Sequence, residues 1–161
     1  MSKGPGVSMR GYSVRRMKRI VDRTFTARCS VQAAWNHLAA IENWPSWAKH
    51  IRSIERSPAG ALARETKGLI RLSNGFKSTF AMTEFNPPRN WKWVGPFLGA
   101  RIHYDHLFEA VSADETRIRF TLDAEGWTVP MVGWLFGAIY RRNLNRAIPL
   151  LVAELDRLVR T

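Results

Sequence analysis

The spacing of apolar residues divides the chain into a strand, two short helical pieces, a long run of strands and a closing helix. Residues 20–27 (IVDRTFTA) alternate, with Val21, Arg23 and Phe25 on one parity. Ser30 then offers a hydroxyl to the free N–H groups of a helix that starts at Val31. On that helix Val31, Ala34, Trp35 and Leu38 fall at i, i+3, i+4 and i+7, a single apolar stripe. Asn43-Trp44-Pro45 breaks it, and Ser46-Trp47 begins another short turn. Two helical pieces this short make a clip for one end of a sheet, not a bundle.

From Ile51 to Gly126 the signals are strand and turn. Ile51 to Ser57 is one strand, ended by Pro58-Ala59-Gly60. Thr66 to Ser73 and Phe76 to Phe85 flank Asn74-Gly75, a strong hairpin signal. Asn86-Pro87-Pro88-Arg89-Asn90 is the next turn, because two prolines cannot continue a ladder. Trp91 to Val94, Ile102 to Val111 and Thr116 to Gly126 complete the set, the last two joined through residues 112–115. Short connections between consecutive strands predict an antiparallel meander. In the last two strands Ile102, Tyr104, His106, Phe108 and Ala110, then Ile118, Phe120, Leu122 and Ala124, form an apolar face. Arg101, His103, Asp105 and Glu109, then Arg117, Arg119, Asp123 and Glu125, form a charged one. The sheet therefore has a single covered side.

Its cover is a helix from about Met131 to Val159. Trp134, Ala138, Arg141, Asn145, Ile148, Leu151, Leu155 and Leu158 recur at helical spacing, flanked by Leu144 and Val152. Pro149 lies within this line and predicts a kink or a boundary there. The fold class is α+β: an antiparallel sheet of six to seven strands wrapped around a long C-terminal helix, with two short helices between strands 1 and 2.

Composition adds bounds. A chain of 161 residues is one domain, and its single cysteine, Cys29, cannot form an internal disulfide. The run from Trp127 to Tyr140 is too short to cross a bilayer and contains Pro130, so a buried helix start or contact with a membrane surface are its two readings. With no signal-peptide pattern at the N-terminus, the expected location is cytoplasmic, or peripheral to a membrane. Of the net charge of +12, half comes from residues 1–19, which hold six basic residues and no acid. This divides the chain into a basic leader, 1–19, and a domain, 20–161. The leader attracts polyanions without choosing between a ribosome, nucleic acid and anionic lipid. No specific DNA recognition is expected.

The order of these pieces resembles the START-like (SRPBCC) superfamily, the polyketide cyclase/dehydrase and lipid-transport proteins with a helix-grip fold. Val31 to Trp35 followed by Ile41 to Trp47, and Glu84 to Arg89 ahead of Trp91, carry the resemblance. His106-x-Phe108, the strand start at Thr116 and the strand end at Gly126 add to it. It implies an apolar cavity between sheet and long helix, and a small hydrophobic ligand such as a lipid, isoprenoid or polyketide-like aromatic. By the same analogy Trp44-Pro45-Ser46-Trp47 sits at the cavity edge, where one tryptophan would gate access. Polyketide cyclisation or dehydration is the enzymatic alternative.

The residues supply candidates for that site. Lining side chains are Trp44 and Trp47 from the clip, Phe80, Met82, Trp91 and Trp93 from the middle strands, and Tyr104, His106, Phe108, Phe120 and Leu122 from the last two. Trp134, Ala138 and Arg141 come from the helix. His106 lies on the apolar parity, where it is a hydrogen-bonded core histidine, a ligand contact or a general base. Glu84 shares parity with Phe80 and Met82; either it points inward, paired with Arg71 or Arg141, or it emerges at the rim beside Arg89. His103 and His106 are three apart on a strand and point to opposite faces, so no metal site is expected of them. Nothing suggests a cofactor, a nucleophile elbow or a phosphate loop. Seven tryptophans can line a ligand site or fill it. An empty cavity of ~150 Å³ would cost roughly 3–4 kcal/mol, so the fold must hold something there.

Overall fold

The computed structural model describes residues 17–158, and these form one antiparallel seven-stranded sheet with a long helix against it. Strand β1 spans Lys18–Ala27, β2 Ile51–Ser57, β3 Lys67–Leu72 and β4 Lys77–Asn86. Strand β5 spans Asn90–Phe97, β6 Ala100–Ser112 and β7 Glu115–Glu125. The sheet order is β1-β7-β6-β5-β4-β3-β2, so the meander from β2 to β7 is completed by β1 pairing with β7. Helix α1, Val31–Ala39, and a 3₁₀ turn, Ile41–Ser46, lie between β1 and β2. Helix α2, Val129–Arg157, closes the chain. The basic leader lies outside the described residues except for its last three, and β1 already begins at Lys18.

Local chemistry places each piece. Ser30 Oγ accepts from the Ala33 amide at 3.2 Å, the cap that starts α1. The stripe of α1 buries Ala34, Trp35 and Leu38. Pro45 sits inside the 3₁₀ turn, where Ile41 and Trp44 are buried. Trp44 Nε1 donates to the Leu38 carbonyl at 2.8 Å, tying the turn to the helix before it. Glu154 of α2 receives both His37 Nε2, at 2.9 Å, and the Ser46 hydroxyl, at 3.0 Å. The clip is thereby fastened to the far end of α2.

Two features of α2 differ from the expected pattern. The helix starts at Val129 and runs through Pro149 without a break. Pro149 and Asn145 are both exposed, so water can serve the carbonyl left without an amide donor. Its packed side is also rotated. The buried line is Val129, Gly133, Gly137, Leu144, Ala147, Leu151 and Leu155, whereas Trp134, Ala138 and Asn145 face solvent. The expected line steps seven residues per two turns and slips around a helix of 3.6 residues per turn. Of its members Leu151 and Leu155 are fully buried, Arg141 and Ile148 are partly so, and Leu158 is exposed.

The glycines mark the packed side instead. A Cβ on Gly133 would stand 3.9 Å from Ile20 Cγ2, and one on Gly137 would stand 3.3 Å from the Ile20 carbonyl. The first half of α2 therefore rests its bare backbone on β1.

Candidate functional site

The inner face of the sheet carries a continuous aromatic cluster. Trp91 and His106 are cross-strand partners on β5 and β6, and their rings stack at 4.9 Å. Trp93 meets His106 edge-on at 4.9 Å and Phe80 of β4 at 4.6 Å. Trp35 of α1 touches Trp91 at 4.8 Å and Phe108 at 5.4 Å. Trp44 reaches Trp93 at 5.4 Å and His106 at 5.5 Å, and Phe120 of β7 meets His106 at 5.2 Å. From Trp93 the rings continue toward the first half of α2 through Tyr104 (6.5 Å), Tyr140 (5.9 Å), Phe136 (5.9 Å) and Phe97 (4.5 Å).

The candidates Trp44, Trp47, Phe80, Trp91, Trp93, His106, Phe108, Phe120 and Leu122 are all buried, and Met82 and Tyr104 are partly so. Trp44 and Trp47 pack against each other at 5.2 Å. Burial shifts several groups. It pushes the phenols of Tyr104 and Tyr140 upward. The His106 imidazole, only 4% exposed, is held down at about 3 by desolvation, with the Trp91 main chain opposing, so it is neutral at ordinary pH.

Four buried polar side-chain atoms among the described residues find no hydrogen-bond partner. Three of them belong to this cluster: Trp91 Nε1, Trp93 Nε1 and His106 Nδ1. Each such group costs roughly 1–3 kcal/mol when unsatisfied. Their concentration around one histidine is the most unusual feature of the interior.

Three candidates lie elsewhere. Trp134 and Ala138 are on the exposed side of α2. Arg141 turns inward, but its Nη1 donates to the Ile20 carbonyl at 2.8 Å, at the β1 side of the helix. Glu84 faces outward, which excludes its inward reading. Met82 pairs with Trp93 and Glu84 with Lys92, so an irregularity at Thr83 inserts one residue and reverses the parity that follows. Phe85, not Glu84, then points in and meets Trp35 at 5.7 Å.

On the outer face Glu84 accepts from Asn86 and Asn90 Nδ2, both at 2.9 Å, and pairs with Lys92 at 3.0 Å. These donors lower its pKa, Asn90 most. Arg71 pairs instead with Glu55 at 3.0 Å. His106 and Glu84 are therefore on opposite faces and cannot form one acid/base unit. His103 also faces outward, against Glu125 at 3.1 Å, which keeps it apart from His106.

The rest of the outer face is a lattice of ion pairs. Arg119 holds Asp22 through two nitrogens, at 2.6 and 2.9 Å, Arg19 joins Asp123, and Arg117 meets Glu109 at 3.0 Å. Two surface hollows, of about 280 and 420 Å³, open on this face, one among Asp22, Glu109 and Arg119, the other over Lys67, Ala81 and Val94. Neither opens from the aromatic cluster itself, although Phe80 forms part of the second one's lining.

Parity could find the inward histidine and the tryptophans. It could not find the role of Phe85, Phe97, Phe136 and Tyr140. Of these, Phe136 and Tyr140 stand four apart on α2, a spacing that was legible.

Residues 18–160 match the model of a family described as polyketide cyclase/dehydrase and lipid transport. No curated protein matches the chain by sequence. Among solved structures, the Zhui aromatase/cyclase from a Streptomyces species superposes with a TM-score of 0.72 at 15% identity, covering 89% of this chain and 96% of its own. A START superfamily protein from Mycobacterium smegmatis gives 0.66 at 15% identity, with 86% and 97% covered. A norcoclaurine synthase from Thalictrum gives 0.62 at 16% identity, with 86% and 96% covered. At these identities the likeness carries the fold and leaves the site to be argued from its own residues.

Proposed function

The chain belongs to the polyketide cyclase/dehydrase and lipid-transport family, and on that premise we propose that it binds a small, mainly apolar ligand between the inner face of its sheet and the first half of α2. The observation that supports this reading is the trio of unpartnered atoms, Trp91 Nε1, Trp93 Nε1 and His106 Nδ1. Two indole N–H donors and one imidazole nitrogen suit a molecule that carries an oxygen or two on an apolar body, such as a polyketide-like aromatic, an isoprenoid or a lipid. The ligand displaces rings at the Phe97–Phe136–Tyr140 end, where the contact of α2 with β1 is made through glycines. The function is holding the ligand. A reaction on it would run without Glu84 and with a histidine far from the neutral pKa that suits general base work.

The test is a titration with naphthalene and 1-naphthol, read by tryptophan fluorescence, together with native mass spectrometry of the purified protein. Both compounds should bind. Trp93→Phe, which keeps a ring but removes the N–H, should weaken 1-naphthol about fivefold to tenfold, from the loss of one hydrogen bond, and leave naphthalene unchanged. If neither compound binds and no apolar molecule co-purifies, the proposal fails.

A further inference from the structure

The side of α2 opposite its glycines is uncovered. Trp127 is 80% exposed, Met131 70% and Trp134 67%, with Leu135 and Ile139 beside them. The β5–β6 turn adds Leu98, 66% exposed. A Cβ on Gly99 would stand 3.4 Å from Trp127 Nε1, so the turn and the helix start share one surface. Leu98 is held at φ +43, the one non-glycine residue with positive φ among those described. A leucine is strained in that conformation, and here its apolar side chain stands out in water.

Charge selects the partner. From Val129 to Ala153 α2 contains three arginines and no acid. Arg141 turns inward to Ile20, but Arg142 and Arg146 are exposed on the side of the apolar patch, just beyond it. A second copy of the chain would bring an equally basic, acid-free face against this one, and the net charge of +12 adds to that repulsion. An anionic surface meets both parts of the pattern. Tryptophan rings settle at the headgroup level of a bilayer, and arginines beside them attract anionic lipids.

We propose that this face, from Leu98 and Trp127 to Ile139 with Arg142 and Arg146 behind, docks the protein on an anionic lipid bilayer. No helix among the described residues is long and apolar enough to cross a membrane, so α2 lies on the surface with its outer side immersed. The patch adjoins Phe97 and Phe136, so docking sets the open end of the grip against the lipid. The inference goes beyond ligand binding and stands whether or not a ligand is held.

The test uses the full chain with vesicles of phosphatidylcholine alone and of phosphatidylcholine mixed equally with phosphatidylglycerol. The protein should sediment with the mixed vesicles, at least tenfold more than with the neutral ones, and high salt should weaken this. Tryptophan emission should shift to the blue and be quenched by lipids with brominated chains, because Trp127 and Trp134 are the two exposed tryptophans. The double substitution Trp134→Glu, Leu135→Glu should lower partition at least tenfold without changing naphthalene binding.

Undiminished vesicle binding in that variant would overturn the proposal and assign the attraction to the leader. Equal partition to neutral vesicles would overturn its anionic part. Bound wild-type protein whose emission neither shifts nor is quenched would overturn it without recourse to any variant. A dimer in light scattering that the same substitutions dissolve, with no affinity for vesicles, would make the occupant a second copy.

Discussion

The two ends of the grip bury the same helix in opposite ways. At the end closed by α1 and the 3₁₀ turn, α2 contributes Leu144, Ala147, Leu151 and Leu155, all buried, and its acids hold the clip: Glu154 takes His37 and Ser46, and Asp156 takes the Arg28 amide at 2.7 Å. At the other end α2 lays Gly133 and Gly137 on β1, turns Phe136 and Tyr140 in toward Phe97 and Tyr104, and keeps Met131, Trp134, Leu135 and Ile139 outside. Both halves are rich in apolar residues, so hydrophobic content does not distinguish them. Residue size at the contact does. Leucines interlock and fix a helix, whereas glycines let it rest close with little to hold it.

The comparison breaks if the two ends respond alike to loss of a tryptophan. Trp91→Ala, at the closed end, removes a fully buried ring that touches Trp35, His106 and Phe108. It should cost about 3–5 kcal/mol in denaturant unfolding. Trp134→Ala, at the open end, should stay within about 0.5 kcal/mol. A comparable loss at both positions would show that the outer side of α2 is packed against something in solution.

Acid sharpens the contrast, because the closed end hides a titrating group. The His106 pKa is about 3 in the folded chain against 6.5 in the unfolded one. Between these values the unfolded state binds more protons. Stability is therefore complete above pH 6.5 and falls as pH drops, by about 2 kcal/mol at pH 5 for a single group with these constants. His50 is depressed by burial too and acts in the same direction. Asp22 and Glu84, lowered by their partners on the outer face, lose their contributions only nearer the carboxylate range. His106→Phe should flatten the slope between pH 6.5 and 5, as read by urea midpoints. A slope unchanged in that variant would place the titration elsewhere.

The same contrast explains what the sequence disclosed. Period two located the inner face of β6 and β7, and with it His106, Phe108, Phe120 and Leu122, because those strands pair without interruption through the middle of the sheet. The inward reading of Glu84 fails because a bulge at Thr83 is invisible to a count of alternate residues. On α2 both sides of the first three turns are apolar, and an outward tryptophan scores as highly as an inward one. The buried side was marked by Phe136 and Tyr140 and by the glycine pair at 133 and 137, and glycine carries no weight in a hydrophobic stripe. That the orphaned N–H groups would cluster was not legible at all, since it depends on which side chains fail to reach a partner.

The smallest expected effect tests whether the open end is strained for a purpose. Leu98 and Gly99 form the two-residue connection between Phe97 and Ala100, at φ +43 and +79, a turn in which asparagine-glycine is the favoured pair. Asparagine tolerates the left-handed conformation better than leucine does, and Leu98 is too exposed to contribute much packing. Leu98→Asn should therefore raise stability by about 0.5–1 kcal/mol, a gain of the size found when a turn residue is matched to its backbone. It should also reduce partition to phosphatidylglycerol-containing vesicles, since one apolar side chain leaves the patch. A gain in stability together with a loss of vesicle affinity identifies the leucine as kept for the surface it presents. A loss of stability would mean that Leu98 packs on Trp127 firmly enough to offset its strain, and the open end would then be less open than its exposed rings imply.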